Sequence, residues 1–141
     1  MSTNTPVPVR TYGFGATLAL PYAQALERTR AALKDQGFGV LTEIDVKQSM
    51  KAKLDVDFRP YVILGACNPP LAHRALSADL GIGLLLPCNV VVYDNGDGTS
   101  TVELMDPEAA LGLVGDAPVI ADVAHEARTR LRQALDALVA A

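Results

Sequence analysis

The chain has 141 residues, the size of one ordinary domain and long enough to bury a core without a disulfide or metal staple. Half of it is hydrophobic, 20% is charged and there is no Trp, which excludes a disordered chain and requires a mostly aliphatic core. The formal net charge of -4 excludes the basic surplus of a nucleic-acid binder, and the uncharged apolar stretch 80–93 falls short of the roughly 20 residues of a membrane helix and is broken by Pro87.

Residues 1–9 read as a flexible tail and 10–141 as one globular domain. Met1 to Arg10 is polar, carries prolines and lacks the apolar centre of a signal peptide. Two cysteines in such a composition suit a reducing compartment. The expected location is therefore cytoplasmic, with no membrane and no nucleic acid as partner.

From Thr11 to Leu20 the residues Phe14, Ala16, Leu18 and Leu20 alternate with small or polar ones, the pattern of a half-buried strand. Pro21 suits the first position of a helix, and Tyr22, Leu26 and Leu33 share one of its faces. Gly37 ends that helix, because only glycine adopts the left-handed cap without strain. A second strand follows over Phe38–Ile44. Asp45 and Gln48 have capping-box spacing and open a helix through about Leu54.

Pro60 to Cys67 is a continuous apolar run, which predicts a strand covered on both faces beside a parallel neighbour. Asn68-Pro69-Pro70 opens a third helix. Ile82 to Tyr93 reads as a long strand with a bulge or partner switch at Pro87. Asp94 to Gly98 is a turn, and Thr99 to Met105 pairs back as a hairpin. Asp106-Pro107-Glu108 opens a helical turn, and Asp116-Ala117-Pro118 opens the last helix. The stripe of that helix is Ile120, Val123, Ala127, Leu131, Ala134, Leu135 and Leu138. The order β-α-β-α-β-α-β-β-α predicts an α+β fold, a two-layer domain with a mixed sheet of about five strands and helices packed on it.

Chemistry is expected at the cysteines. Cys67 ends the third strand, and a thiol at a helix N-terminus feels the positive end of the dipole, which favours thiolate. If the third and fourth strands are parallel neighbours, Cys67 and Cys88 stand at nearly the same height, about 5–8 Å apart from the strand spacing. Free cysteine is also common packing material, so an inert role stands beside the functional one.

Gly65-Ala66-Cys67-Asn68-Pro69 with Ala72, and Leu86-Pro87-Cys88-Asn89, resemble the two hallmark segments of the bacterial and archaeal family called domain of unknown function 302. Lys51, Phe58, Arg59 and Tyr61 before them, and Asp106-Pro107 after the hairpin, fit the same pattern. The likeness spans roughly residues 10–140. It implies a compact α/β domain that tends to form homodimers, and it implies no mechanism.

Lys47 and Lys51, four apart, and Arg59 are candidates to hold an anion, although lysines are mostly exposed and a solvated helix face is the plainer account of them. Arg128, Arg132 and Asp136 are spaced for surface ion pairs. His73 lies close to Cys67 in sequence, and His125 lies off the apolar stripe. The spacings Cys-x-x-Cys and His-x-x-x-His are absent, so neither a metal nor a cofactor is expected. Dinucleotide, phosphate-loop and nucleophile-elbow motifs are absent too.

Two readings of function follow, and whether the protein is an enzyme stays open between them. In the first, a small polar or anionic ligand or thiol chemistry is handled at the carboxyl ends of the cysteine-bearing strands. Cys67 is then the reactive thiol, Cys88 its partner, and Asn68, Arg59, Lys51 and His73 hold the ligand. In the second, the protein is a non-catalytic homodimeric binding or interaction module with structural cysteines.

Overall fold

The structure, a computed structural model, describes residues 7–140. Most of the tail expected over 1–9 lies outside them. The expected elements appear in the expected order: β1 (Gly13–Leu18), α1 (Tyr22–Asp35), β2 (Gly39–Asp45), α2 (Val46–Leu54), β3 (Tyr61–Cys67), α3 (Pro69–Ala78), β4 (Cys88–Asp94), β5 (Ser100–Met105), α4 (Pro107–Leu111) and α5 (Pro118–Ala140). They form an α+β domain with one five-stranded sheet in the order β1-β5-β4-β3-β2.

Local chemistry sets the boundaries. Gly37 has φ 83°, and the Gly37 and Phe38 N–H groups donate back to Lys34 and Leu33, closing α1 with a left-handed cap. Asp45 accepts from the Gln48 N–H at 2.9 Å and caps α2. Asn68 and Asp106 do the same for α3 and α4, each followed by proline where no N–H is needed. Pro21 occupies the cap position of α1 and not its first turn.

The sheet corrects one expectation. Every strand pair is antiparallel, β3 with β4 included, so the sheet is not mixed. The reason lies between α3 and β4. Leu80–Leu85 coils into a 3-10 segment and does not begin a strand at Ile82. The chain therefore re-enters the sheet at Cys88, beside the end of β3, and must run back along it. Ala66 stands opposite Cys88, and Tyr61 opposite Tyr93.

The apolar run in β3 is likewise not covered on both faces. Val62, Leu64 and Ala66 are buried, whereas Tyr61, Ile63 and Cys67 are only half-buried. Val90, Val92, Val102 and Leu104 join the buried set from β4 and β5. Against this face lie the helices, with α5 packed between α1 and α3. All seven residues of the stripe predicted for α5 are buried, each large aliphatic side chain contributing about 1.5–3 kcal/mol by leaving water.

The opposite face is open. Its residues include Tyr61, Ile63, Val91, Tyr93 and Glu103, all half-buried. At one edge, β2 carries a register shift between Val40 and Thr42 and has no buried residue. Helix α2 beside it has none either. No described helix is long and apolar enough to cross a membrane.

Candidate functional site

Cys67 closes β3 and Cys88 opens β4, so the antiparallel turn-back brings both to one end of the sheet. Cys88 shares the helix-packed face with Ala66 and is 7% exposed. Cys67 lies one step on, opposite Gly39 of β2, and strand alternation turns it the other way. The two are therefore diagonal neighbours whose side chains leave opposite faces of the sheet, and do not stand at matched heights on one face as in a parallel pair. Both border one cavity of about 270 Å³, whose other walls include Phe38, Leu71, Ala75, Leu86 and Val123.

The wall is almost wholly apolar. Besides the thiols, its one polar side chain is Asn68, 8% exposed, whose Oδ1 is occupied by the Leu71 N–H at 3.3 Å. The ring of Pro87 also lines it, following a cis Leu86–Pro87 bond. Beside it the strands are close-packed: a Cβ on Gly65 would stand 2.2 Å from Thr42 Oγ1 and 2.8 Å from Pro87 Cγ.

The expected thiolate at Cys67 is not favoured here. Burial pushes the Cys67 thiol up. Cys88 is pushed up to about 11, by burial first and by the nearby Cys67 second. The helix terminus offers no compensation. Pro69 and Pro70 carry no N–H, the Leu71 N–H is taken by Asn68, and the Ala72 N–H donates to the Asn68 carbonyl. Desolvation therefore wins over the dipole, and both groups are thiols at neutral pH.

The other residues expected at the site lie elsewhere. His73 is exposed on α3 and does not line the cavity. Arg59 is exposed and donates to the Asp94 carbonyl at 3.2 Å. Lys51 pairs with Asp55 at 3.0 Å and Asp57 at 3.6 Å, and Lys47 donates to the Phe58 carbonyl at 3.0 Å. Lys47 and Lys51 border one open pocket together with Asp45 and Asp57, without Arg59, and each of the three cations is engaged by its own neighbours. Arg128 reaches Asp106 and Glu108, at 3.2 and 3.4 Å, and not Asp136. Among the described residues no group of His, Cys, Asp and Glu is placed to hold a metal.

A second cluster, missed in the sequence, lies on the open face. Arg10 clamps the Glu103 carboxylate through Nε at 2.5 Å and Nη2 at 3.2 Å, and the Tyr93 hydroxyl donates to it at 2.7 Å. Burial alone would raise the Glu103 carboxyl. The hydrogen bonds from Arg10 and Tyr93 and the Arg10 charge outweigh it, so the group stays below its usual range. The Tyr61 and Tyr93 rings stack at 5.3 Å. The available signal was alternation, which puts Asn89, Val91 and Tyr93 on one face of β4 and Glu103 on the matching face of β5.

Comparison with known proteins agrees with the architecture. The family model described as domain of unknown function DUF302 matches residues 14–138. A crystal structure of an uncharacterized conserved DUF302 protein from Bacillus stearothermophilus is similar with a TM-score of 0.82 and 32% identity, covering 92% of this chain and 99% of that one. No curated protein matches the chain significantly. With the two Cys-Asn segments at one end of the sheet and the match running from β1 into α5, the chain belongs to the DUF302 family.

Proposed function

We propose that this domain binds a small, uncharged, largely apolar ligand in the cavity bordered by Cys67 and Cys88. The observation that carries the reading is the composition of that wall: aliphatic and aromatic side chains, two neutral thiols and one amide whose oxygen is committed to a helix cap. A charged ligand would lose its hydration there and find no counter-charge. The polar or anionic ligand expected from sequence is accordingly replaced by an apolar one, and Cys67 and Cys88 serve as wall groups and not as nucleophile and partner. Titrating labelled protein with hexanol and with hexanoate at pH 7, followed by amide NMR shifts, tests this. Hexanol should shift Cys67, Leu71 and Cys88 saturably and hexanoate should bind at least tenfold more weakly. Preference for the carboxylate would overturn the reading.

A second reading, the homodimeric interaction module, is favoured by a different observation. The β2–α2 edge exposes Leu41 (68%), Ile44 (49%), Leu54 (68%) and Phe58 (41%) close together in sequence, more apolar surface than isolated exposed residues need. Light scattering should find a dimer whose dissociation constant rises on Ile44→Asp. A monomer at all concentrations would remove this reading and leave the cavity untouched.

A further inference from the structure

On the open face, between β1, β5 and β4, lies a second cavity of about 370 Å³. Val91 and Met105 form its apolar floor, and Tyr12, Tyr61, Asn89 and the Arg10–Glu103 pair surround it. Gly13 lines it without a side chain to obstruct approach to the strand.

Its polar groups divide into two sets. Arg10 and Glu103 satisfy one another, and Glu103, with a side chain only 11% exposed, accepts from Tyr93 as well. The one cation is thus neutralised from within. The Asn89 amide and the Tyr61 hydroxyl have no hydrogen-bond partner among the described residues. An asparagine amide presents one donor and one acceptor side by side, the complement of a heteroaromatic edge carrying an acceptor beside an amino group. Tyr12 is 62% exposed, and Arg10 sits over its ring at 5.7 Å from the centroid. That leaves ring surface on which a flat ligand can stack.

From the unpaired Asn89 amide, the available Tyr12 ring and the internally neutralised charge, we propose that this cavity binds an uncharged purine-type heterocycle, as a free base or nucleoside and not as a nucleotide. Asn89 reads the heterocycle edge, Tyr12 stacks on its face, and the paired Arg10 offers no net attraction to a phosphate. The site is separate from the cysteine cavity and does not depend on it.

The test is a titration of the full chain with adenosine, adenosine monophosphate and a single-stranded oligoadenylate, followed by the Asn89 side-chain amide and the tyrosine ring resonances. Adenosine should give saturable shifts at Asn89 and Tyr12. Asn89→Ala, an exposed position on β4, should weaken binding about tenfold, as expected for loss of a bidentate amide contact. Glu103→Gln should free the Arg10 charge and raise the affinity for the monophosphate relative to adenosine. The proposal is overturned by the absence of saturable shifts, by binding that Asn89→Ala leaves unchanged, by tighter binding of the monophosphate to the unmodified protein, or by a Glu103→Gln preference that does not move. Oligoadenylate binding far above adenosine would instead make this face a nucleic-acid surface.

Discussion

Gly65→Ala tests how tightly the cysteine end of the sheet is assembled. A methyl group there would stand 2.2 Å from Thr42 Oγ1 and 2.8 Å from Pro87 Cγ, both well inside van der Waals contact, so β2 or the Pro87 turn must move. Overpacking of this kind costs about 1–3 kcal/mol, against which alanine recovers about 0.5–1 kcal/mol of strand preference over glycine. The net expectation is a loss of about 0.5–2 kcal/mol, or a melting temperature lower by a few degrees for a chain of this size. Thr42→Ala removes the nearer obstacle and leaves the proline, so the double variant should recover part of the loss, read as a coupling energy in a double-mutant cycle. Urea denaturation of the four proteins measures it. A Gly65→Ala variant as stable as the parent, or a cycle with no coupling, would refute the packing argument.

Alkylation by iodoacetamide should be slow at pH 7 at both cysteines and slower at Cys88, with the Cys88 rate still rising as pH approaches about 11; fast modification of Cys67 at neutral pH would show a thiolate that burial should suppress. Asn68→Ala should cost about 1 kcal/mol by uncapping α3, visible in the urea midpoint, and an unchanged midpoint would contradict the cap. Leu131, 0% exposed on α5, should lose about 2–5 kcal/mol on replacement by Ala, measured the same way. The Glu103 carboxyl is held below its usual range, so its contribution to stability is present above its unfolded value and is lost as pH falls through the folded one. Glu103→Gln should flatten that acid limb of the stability profile, and a profile unchanged by the substitution would show that the carboxylate contributes nothing.

The helices were legible because their signals are local. Asp45, Asn68 and Asp106 each announce a cap three or fewer residues ahead of the N–H they satisfy, and the α5 stripe repeats at the helical period. Strand direction was not legible. Leu80–Leu85 is apolar enough for a strand, and only its tertiary setting, with Ile82 buried while Leu80 and Leu84 are 88% and 91% exposed, coils it. That one segment decides whether β4 runs with β3 or against it. An antiparallel return still brings a strand end beside a strand start, so both cysteines border one cavity, but alternation turns their side chains to opposite faces of the sheet and not to the shared face that a parallel pair would give. The thiol chemistry did not follow from position alone. The helix N-terminus beside Cys67 is spent on its own cap and on two prolines, which proximity in sequence does not reveal. The Arg10–Glu103–Tyr93 cluster joins residues 93 positions apart, beyond the reach of any local pattern.

The space beside Cys67 and Cys88, with its apolar wall, is proposed to take an uncharged ligand. Crystals pressurised with xenon examine it most directly, since such a cavity takes up xenon while a hydrated one does not. A xenon atom in contact with Leu71, Ala75 and Cys88 is the expected result. Ordered waters hydrogen-bonded in its place would contradict the account.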